Sequence, residues 1–538
     1  MKDCNGCIDY KETHYFSKIV VDYLNHAEPL QDFISFTNDL EGIKNAIESR
    51  KINTVDRKLL VEGLKNQYKN YEASPVTMDN IEALLNDNTF TIITAHQPNI
   101  LTGHLYFIYK ILHTIKLSAF CKAHFPDYHF VPVFFMGSED ADLDELNHIY
   151  ADGKKYTWET NQKGAVGRML IDKAFVKMVD ELKNQVEVLP FGDDIISLIQ
   201  EHYTLGKKID IATASFVNAI FSKFGLVILI PDDALLKSAA LSIFKKEILL
   251  SPSKALVENQ NKKLTDAGYK SQAYARDINL FYLKENARNR IERNGDIWNI
   301  VDTDIQFTTP QIEAELEKYP ERFSPNVILR GVFQEAILPN IAFIGGGGEL
   351  AYWLQLKPVF EYFNIFYPVL VLRNSFLLIE EKSAVNAAKL GLSLKELFLK
   401  TDDLVDAQIK KNTKNPLSIN SSIETLATVF DNLKDQVVTV DPTLLDHVSR
   451  LHKMAIGNLN HLEHKILKAE KRNQNDRVQQ IQQLKSRLFP MNSLQERIEN
   501  VIPFWSRYGK EWIDIIYHQS LSLEQQFAVI NLSNQTDL

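Results

Sequence analysis

Cysteine is scarce in this chain: its 538 residues hold only Cys4, Cys7 and Cys121. Three are too few for the disulfide framework of a small secreted protein and fit a reducing compartment. Cys4 and Cys7 have a zinc-like spacing, but a structural zinc site needs four ligands and no second pair exists. Cys121 lies among apolar residues and reads as simply buried. Long apolar runs are missing too, none approaching the roughly 18 to 20 residues that span a bilayer. The start, Met1-Lys2-Asp3-Cys4, leads into polar sequence without the apolar core of a signal peptide. These absences predict a cytoplasmic protein that makes no membrane contact. Concentrated basic charge is also lacking. Lys and Arg number 60 against 69 Asp and Glu, a formal net charge of −9, and pairs such as Lys207-Lys208 and Lys245-Lys246 are short. A nucleic-acid binder needs a cationic face to neutralise phosphates, so no nucleic-acid partner is expected. Phosphate-loop, H-E-x-x-H and G-x-S-x-G motifs are absent.

What remains is a globular composition, 45% hydrophobic and 24% charged, in a chain long enough for two or three packed units. The first ninety residues carry helical spacing. Apolar strands follow at Thr89–Thr94, Phe130–Met136, Leu226–Ile230, Ile341–Ile344 and Tyr367–Leu372. Strands apolar on both faces, separated by amphipathic helices, predict a parallel sheet covered on both sides. In the helix after Gly103, Leu105, Ile108, Ile111, Leu112, Ile115 and Ala119 form one apolar stripe, with Tyr106, Lys110 and His113 off it. Residues about 152–200 and about 255–325 read as polar, irregular insertions. Beyond Glu380 strand signals disappear. Leu459, Leu462, Ile466 and Ala469 form a short heptad seam, and Val478, Ile481, Leu484 and Leu488 a second stripe. A break at Asn473–Asp476 predicts that the two form a helical hairpin.

Three stretches carry chemistry-bearing residues, each just after an expected strand, where open parallel sheets place their ligands. The first runs from His96-Gln97 through Leu101-Thr102-Gly103-His104. A polar turn opening a helix offers N–H groups and a positive dipole end to an anion, and the two imidazoles can stabilise developing negative charge. Its bland reading is a helix capped by Thr102. The second, Gly137 to His148, sets Glu139, Asp140, Asp142, Asp144 and Glu145 within seven residues. Such carboxylates repel one another unless a cation meets them, so a water-bridged Mg²⁺ or an amine substrate fits, with an acidic surface loop as the alternative. It is no EF-hand, since Glu145 stands where glycine is required. The third is Gly345-Gly346-Gly347-Gly348-Glu349, leading to Ala351 and Trp353. Its match to a dinucleotide fingerprint is weak, because Glu349 already occupies the helix dipole and repels phosphate. An amine or hydroxyl ligand near Glu349 suits it better. Asn326, Arg330 and Arg373 add anion-binding groups or, equally, structural ion pairs.

In this order the three stretches resemble the bacillithiol biosynthesis cysteine-adding enzymes. Ser324 to Arg330, Gly345 to Trp353 and Leu494-Gln495-Glu496-Arg497 carry the likeness, which spans nearly the whole chain. Ala141 and Gly347 depart from the family's His and Pro, and Ala95-His96 from the residues ahead of Gln97. The resemblance implies an α/β protein: a Rossmann-like parallel sheet core with two connecting insertions, plus an α-helical coiled-coil domain that forms a homodimer. The corresponding limits are 1–375, 376–500, and 501–538 returning to the core. It further implies a ligase joining the carboxyl of L-cysteine to the amine of glucosaminyl-malate, and an adenine-nucleotide pocket, for ATP or ADP, near the coiled coil; activation of the carboxyl by ATP is our own mechanistic expectation. On this reading Thr102 and nearby N–H groups meet an oxyanion or phosphate, Glu139, Asp140 or Asp142 meets a cation or amine, and His96 or His148 acts as base. Gln97, Gly103, Tyr106, Ser138, Asn326, Arg330, Gly346, Gly348, Glu349, Trp353 and Arg373 would bind substrate, with no resident metal. Two other readings stand beside it: a class I-like nucleotidyltransferase or adenylate-forming enzyme on another small molecule, and a non-catalytic coiled-coil scaffold.

Overall fold

The computed structural model describes residues 6–414 and 417–532. Five parallel strands form the central sheet: β1 (Thr89–His96), β2 (His129–Met136), β3 (Val227–Leu229), β4 (Asn340–Gly345) and β5 (Val369–Leu372). Their order is β5-β4-β1-β2-β3. β-branched and aromatic residues supply the strands, and in register Ile93 lies between Val133 and Phe343. Because helices cover both faces, nearly every strand residue is buried, which is why the apolar runs are continuous rather than alternating. The chain builds outward from β1 to β3, then returns to place β4 on the other side of β1. Between β1 and β4 the connections therefore diverge, leaving a crevice beyond the carboxyl ends.

Helix α1 (Leu105–His124) follows β1. Lys110 and His113, expected off its apolar stripe, are fully buried. The sheet covers one side of α1, and the C-terminal part of the chain covers another, where His113 bonds the Ser522 carbonyl at 2.7 Å. Both insertions are regular rather than irregular. The first holds a two-stranded hairpin (His148–Ala151 with Lys154–Thr157) and the helices Lys173–Val186 and Gly192–His202. The second forms a five-stranded antiparallel sheet that includes Leu280–Lys284 and Ala287–Asn294. Its polarity misled because Ala287–Asn294 buries only Ile291, as a solvated antiparallel strand does. Two further helices line the crevice, α2 (Val327–Ile337) and α3 (Gly347–Trp353). Strand signals do not end at Glu380, since Phe527–Asn531 pairs antiparallel with Cys7–Ile8. Cys4 lies outside the described residues.

The chain divides into two compact units, one mainly Tyr15–Leu377 with Leu494–Ile530, the other mainly Leu378–Ser493. The second is helical, with α4 (Asn420–Val440), α5 (Leu445–Asn473) and α6 (Asn475–Leu488). Its hairpin differs from expectation. The reversal falls at Asp441–Leu444, where Pro442 starts a tight turn and Asp441 accepts from the Thr443 N–H. α4 packs along α5, with Phe430 stacked on His452 at 4.8 Å, whereas Gln474 only separates α5 from its successor α6.

Candidate active site

A cavity of about 640 Å³ opens at the carboxyl ends of the sheet. Residues from the ends of four strands converge there: His96 and Gln97 after β1, Glu139 and Asp140 after β2, Gly346, Gly348 and Glu349 after β4, and Arg373 after β5. The three stretches thus share one cleft.

His96 packs its ring against Tyr106 at 5.2 Å and Phe107 at 5.6 Å. Burial, reinforced by Lys110 and Arg330, holds its pKa well below the usual imidazole value, so the ring is neutral. Its Nε2 is buried and has no hydrogen-bond partner among the described residues. A buried polar atom left unpaired is costly and suggests an absent ligand. Beneath it, Lys110 Nζ donates to the Ala95 carbonyl at 2.6 Å and pairs with Glu349 at 2.5 Å. Burial lowers the Lys110 pKa and Glu349 opposes that shift.

Glu349 also accepts from the Gly346 N–H at 2.8 Å. The start of α3 is therefore closed by a carboxylate already paired with lysine. A pyrophosphate does not fit this turn, and no step is assigned to a nucleotide there. Gly345 is required by packing, since a Cβ would sit 2.8 Å from the Phe343 ring.

The carboxylates after β2 disperse instead of clustering. Glu139 turns inward to a short contact with Lys237, which is completely buried. Burial raises the Glu139 pKa, and Lys237 pulls it back down. Asp232 and Arg168 extend this network with bonds of 2.6 and 2.7 Å. Asp140 accepts from Gln97 Nε2 at 2.9 Å, and Asp142 is exposed. Among the described residues no three His, Cys, Asp or Glu side chains stand together where they could hold a metal ion.

Opposite lies a cationic wall. Arg330 is half-buried, donates to the Tyr352 hydroxyl at 2.6 Å and pairs with no carboxylate among the described residues. Arg288 reaches in from the second insertion, lying 4.0 Å over Phe281 with Nε on Ser324 Oγ at 3.2 Å. Arg373 pairs with the buried Glu496 at 2.8 Å and lies over Tyr106. With Arg276, Arg497 and Lys110, six lining side chains are cationic against three acidic. The excess draws an anion into the cleft.

Comparison with known proteins assigns the two parts of the chain separately. Residues 4–374 match the N-terminal Rossmann-like domain of the bacillithiol biosynthesis protein BshC, and 376–532 match its C-terminal coiled-coil domain. The chain belongs to the BshC family. A relative from Flavobacterium psychrophilum is 38% identical over 97% of this chain and 99% of its own length. One from Flavobacterium johnsoniae is 38% identical over 98% and 99%, and one from Chloroherpeton thalassium 28% identical over 93% and 94%. Each of the three carries the name "Putative cysteine ligase BshC".

In this BshC-family chain the cavity gathers His96, Gln97, Tyr106, Glu139, Asp140, Asn326, Arg330, Gly346, Gly348, Glu349 and Arg373. Six expected residues lie outside its lining. Gly103 donates its N–H to the Ile100 carbonyl at 2.9 Å, and Leu105 donates its own to the Glu499 carbonyl at 2.8 Å. The Thr102 hydroxyl is buried away from the cleft, and it does not cap α1, whose N-cap is His104. Ser138 is buried beside Gly167. Asp142 faces solvent, and His148 bonds Asn147 at 3.1 Å at the base of the first-insertion hairpin. Trp353 is core, 4.5 Å from Phe343 in a stacked pair. Sequence reasoning missed Lys110, Arg276, Arg288, Tyr352 and Arg497 as lining residues. Only Lys110, a charge inside an otherwise apolar helix, stood out.

Proposed function

We propose that this chain is a ligase that joins L-cysteine to glucosaminyl-malate through an amide bond. The observation that carries the reading is the two-sided cavity. One wall offers Asp140 and the nitrogen of neutral His96; the other offers Arg330 and Arg288, which pair with no carboxylate among the described residues. An amino acid brings an ammonium group and a malyl group brings two carboxylates, so the two substrates match the two walls. The relatives' shared name supports the cysteine half.

Asp140 binds the α-ammonium of cysteine. Arg330 and Arg288 hold malyl carboxylate, with Asn326 at their edge. His96 Nε2 takes a proton from the glucosamine amine as its nitrogen attacks the cysteinyl carbonyl carbon. The C–N bond forms and the carboxyl oxygen leaves. A carboxylate and an ammonium do not condense favourably at neutral pH, so that oxygen has to leave on a group-transfer co-reactant. The helical hairpin, with Leu451, Met454 and Leu462 exposed on α5, forms a homodimer.

The test is mass spectrometry of purified protein with cysteine, glucosaminyl-malate and ATP. The expected product is bacillithiol, with AMP or ADP reporting adenylyl or phosphoryl transfer. No bacillithiol with any nucleotide would overturn the reading.

A further inference from the structure

One piece of the cavity wall comes from far along the chain. Leu494–Val501 runs back past the loop that follows β1, and its polar groups on either side of Arg497 are tied down. Glu496 accepts from Arg373 at 2.8 Å and from the Phe376 N–H at 3.2 Å. The Ile498 carbonyl meets His104 Nδ1 at 2.9 Å, and the Glu499 carbonyl accepts from the Leu105 N–H at 2.8 Å. Asn500 donates to the carbonyls of Leu101 and Gly103.

Between these anchors the guanidinium of Arg497 has no hydrogen bond or ion pair with a described residue, yet it lines the cavity. Its charge is felt by His104, Tyr106 and Arg373. The side chain as a whole is exposed at the cavity rim; partial desolvation and the Arg373 charge push its pKa down, and Glu496 opposes them. None of the lining carboxylates pairs with it: Glu139 and Glu349 are engaged by Lys237 and Lys110, and Asp140 accepts from Gln97 on the other wall. A fixed strap that holds an unpaired cation beside another cation is arranged for an anion that arrives with the ligand.

We propose that Arg497 binds a carboxylate of the acceptor and so selects acceptors that carry the malyl group. This rests on the glucosaminyl-malate reading and adds a specificity residue to it. The test compares the parent enzyme with R497A and R497K in turnover, and in calorimetry with glucosaminyl-malate alone. R497A is expected to raise KM for glucosaminyl-malate about tenfold to a hundredfold, as for a lost charged hydrogen bond. KM for cysteine should stay within about twofold. R497K should recover part of the loss, and methyl glucosaminide, which lacks carboxylates, should be used equally poorly by parent and R497A. Unchanged glucosaminyl-malate binding in R497A overturns the assignment while leaving the reaction standing. A shift in the cysteine KM instead overturns it in favour of the amino-acid carboxylate. If the parent makes no bacillithiol, the reaction reading fails, and calorimetry still decides whether Arg497 holds this acceptor. No binding by the parent overturns both.

Discussion

Replacing His96 with Asn would keep a polar side chain between Tyr106 and Phe107 but remove the unpartnered ring nitrogen at the cavity. Turnover should fall about 10²- to 10⁴-fold, the usual contribution of a general base, with little change in melting temperature. Because burial keeps this imidazole neutral, the acid limb of kcat/KM that belongs to it should lie well below the ordinary value near 6.5. A limb near 6.5 that vanished in H96N would count against a buried neutral base. The carboxylates after β2 behave differently from one another. Glu139→Ala removes the nearest carboxylate of the buried Lys237, which keeps Asp232 at 3.5 Å, and should cost about 1.5–3 kcal/mol of stability, so lost activity there would report destabilisation as well as chemistry. Asp140→Asn keeps an acceptor for Gln97; it should raise KM for cysteine while thermal melting stays near the parent's. Nothing in the acidic block marks which carboxylate turns inward, because its partner, Lys237, lies 98 residues away.

At the scale of elements, the strands were legible because burial on both faces leaves unbroken apolar runs such as Phe130–Met136. The antiparallel sheet of the second insertion was not, since Ala287–Asn294 shows a single buried apolar residue. The loop after β1 was legible as a turn but not in its geometry. Leu101, Thr102 and Gly103 all have positive φ, at 49°, 67° and 60°, costly for the first two. Asn500 holds this conformation by bonding two of its carbonyls. Asn500→Ala should therefore destabilise the protein by about 2 kcal/mol or more, since buried acceptors are left unmet, as read by denaturant unfolding. At the start of β4, Glu335 accepts from Asn340 at 2.8 Å, and burial raises its pKa to about 7. The folded state then holds a proton that the unfolded chain releases above its ordinary carboxylate pKa, so stability falls as pH rises from about 4.5 toward 7. Glu335→Gln should flatten that decline. An unchanged slope would mean that the carboxyl is ionised throughout.

For the molecule as a whole, the sequence distinguished a sheet unit from a helical unit; the hairpin's reversal was missed although α4 carries its own seam, Ile423, Leu426, Phe430, Leu433, Val437 and Val440, because Asn473–Asp476 looked the stronger break. Val429 and Leu433 on α4 and Leu462 on α5 are exposed apolar side chains, the kind that a partner helix covers in a coiled coil. Leu462→Asp should convert a dimer to a monomer in light scattering with the fold intact by circular dichroism. A parent protein already monomeric at micromolar concentration would remove the basis for a dimer.

The cavity draws its walls from segments as far apart as His96 and Arg497. During translation, then, a growing polypeptide carries no finished pocket until almost all of it has left the ribosome. Long-range closure of this kind is slow, so a nascent chain stalled before residue 494 should be inert however well its early strands have collapsed.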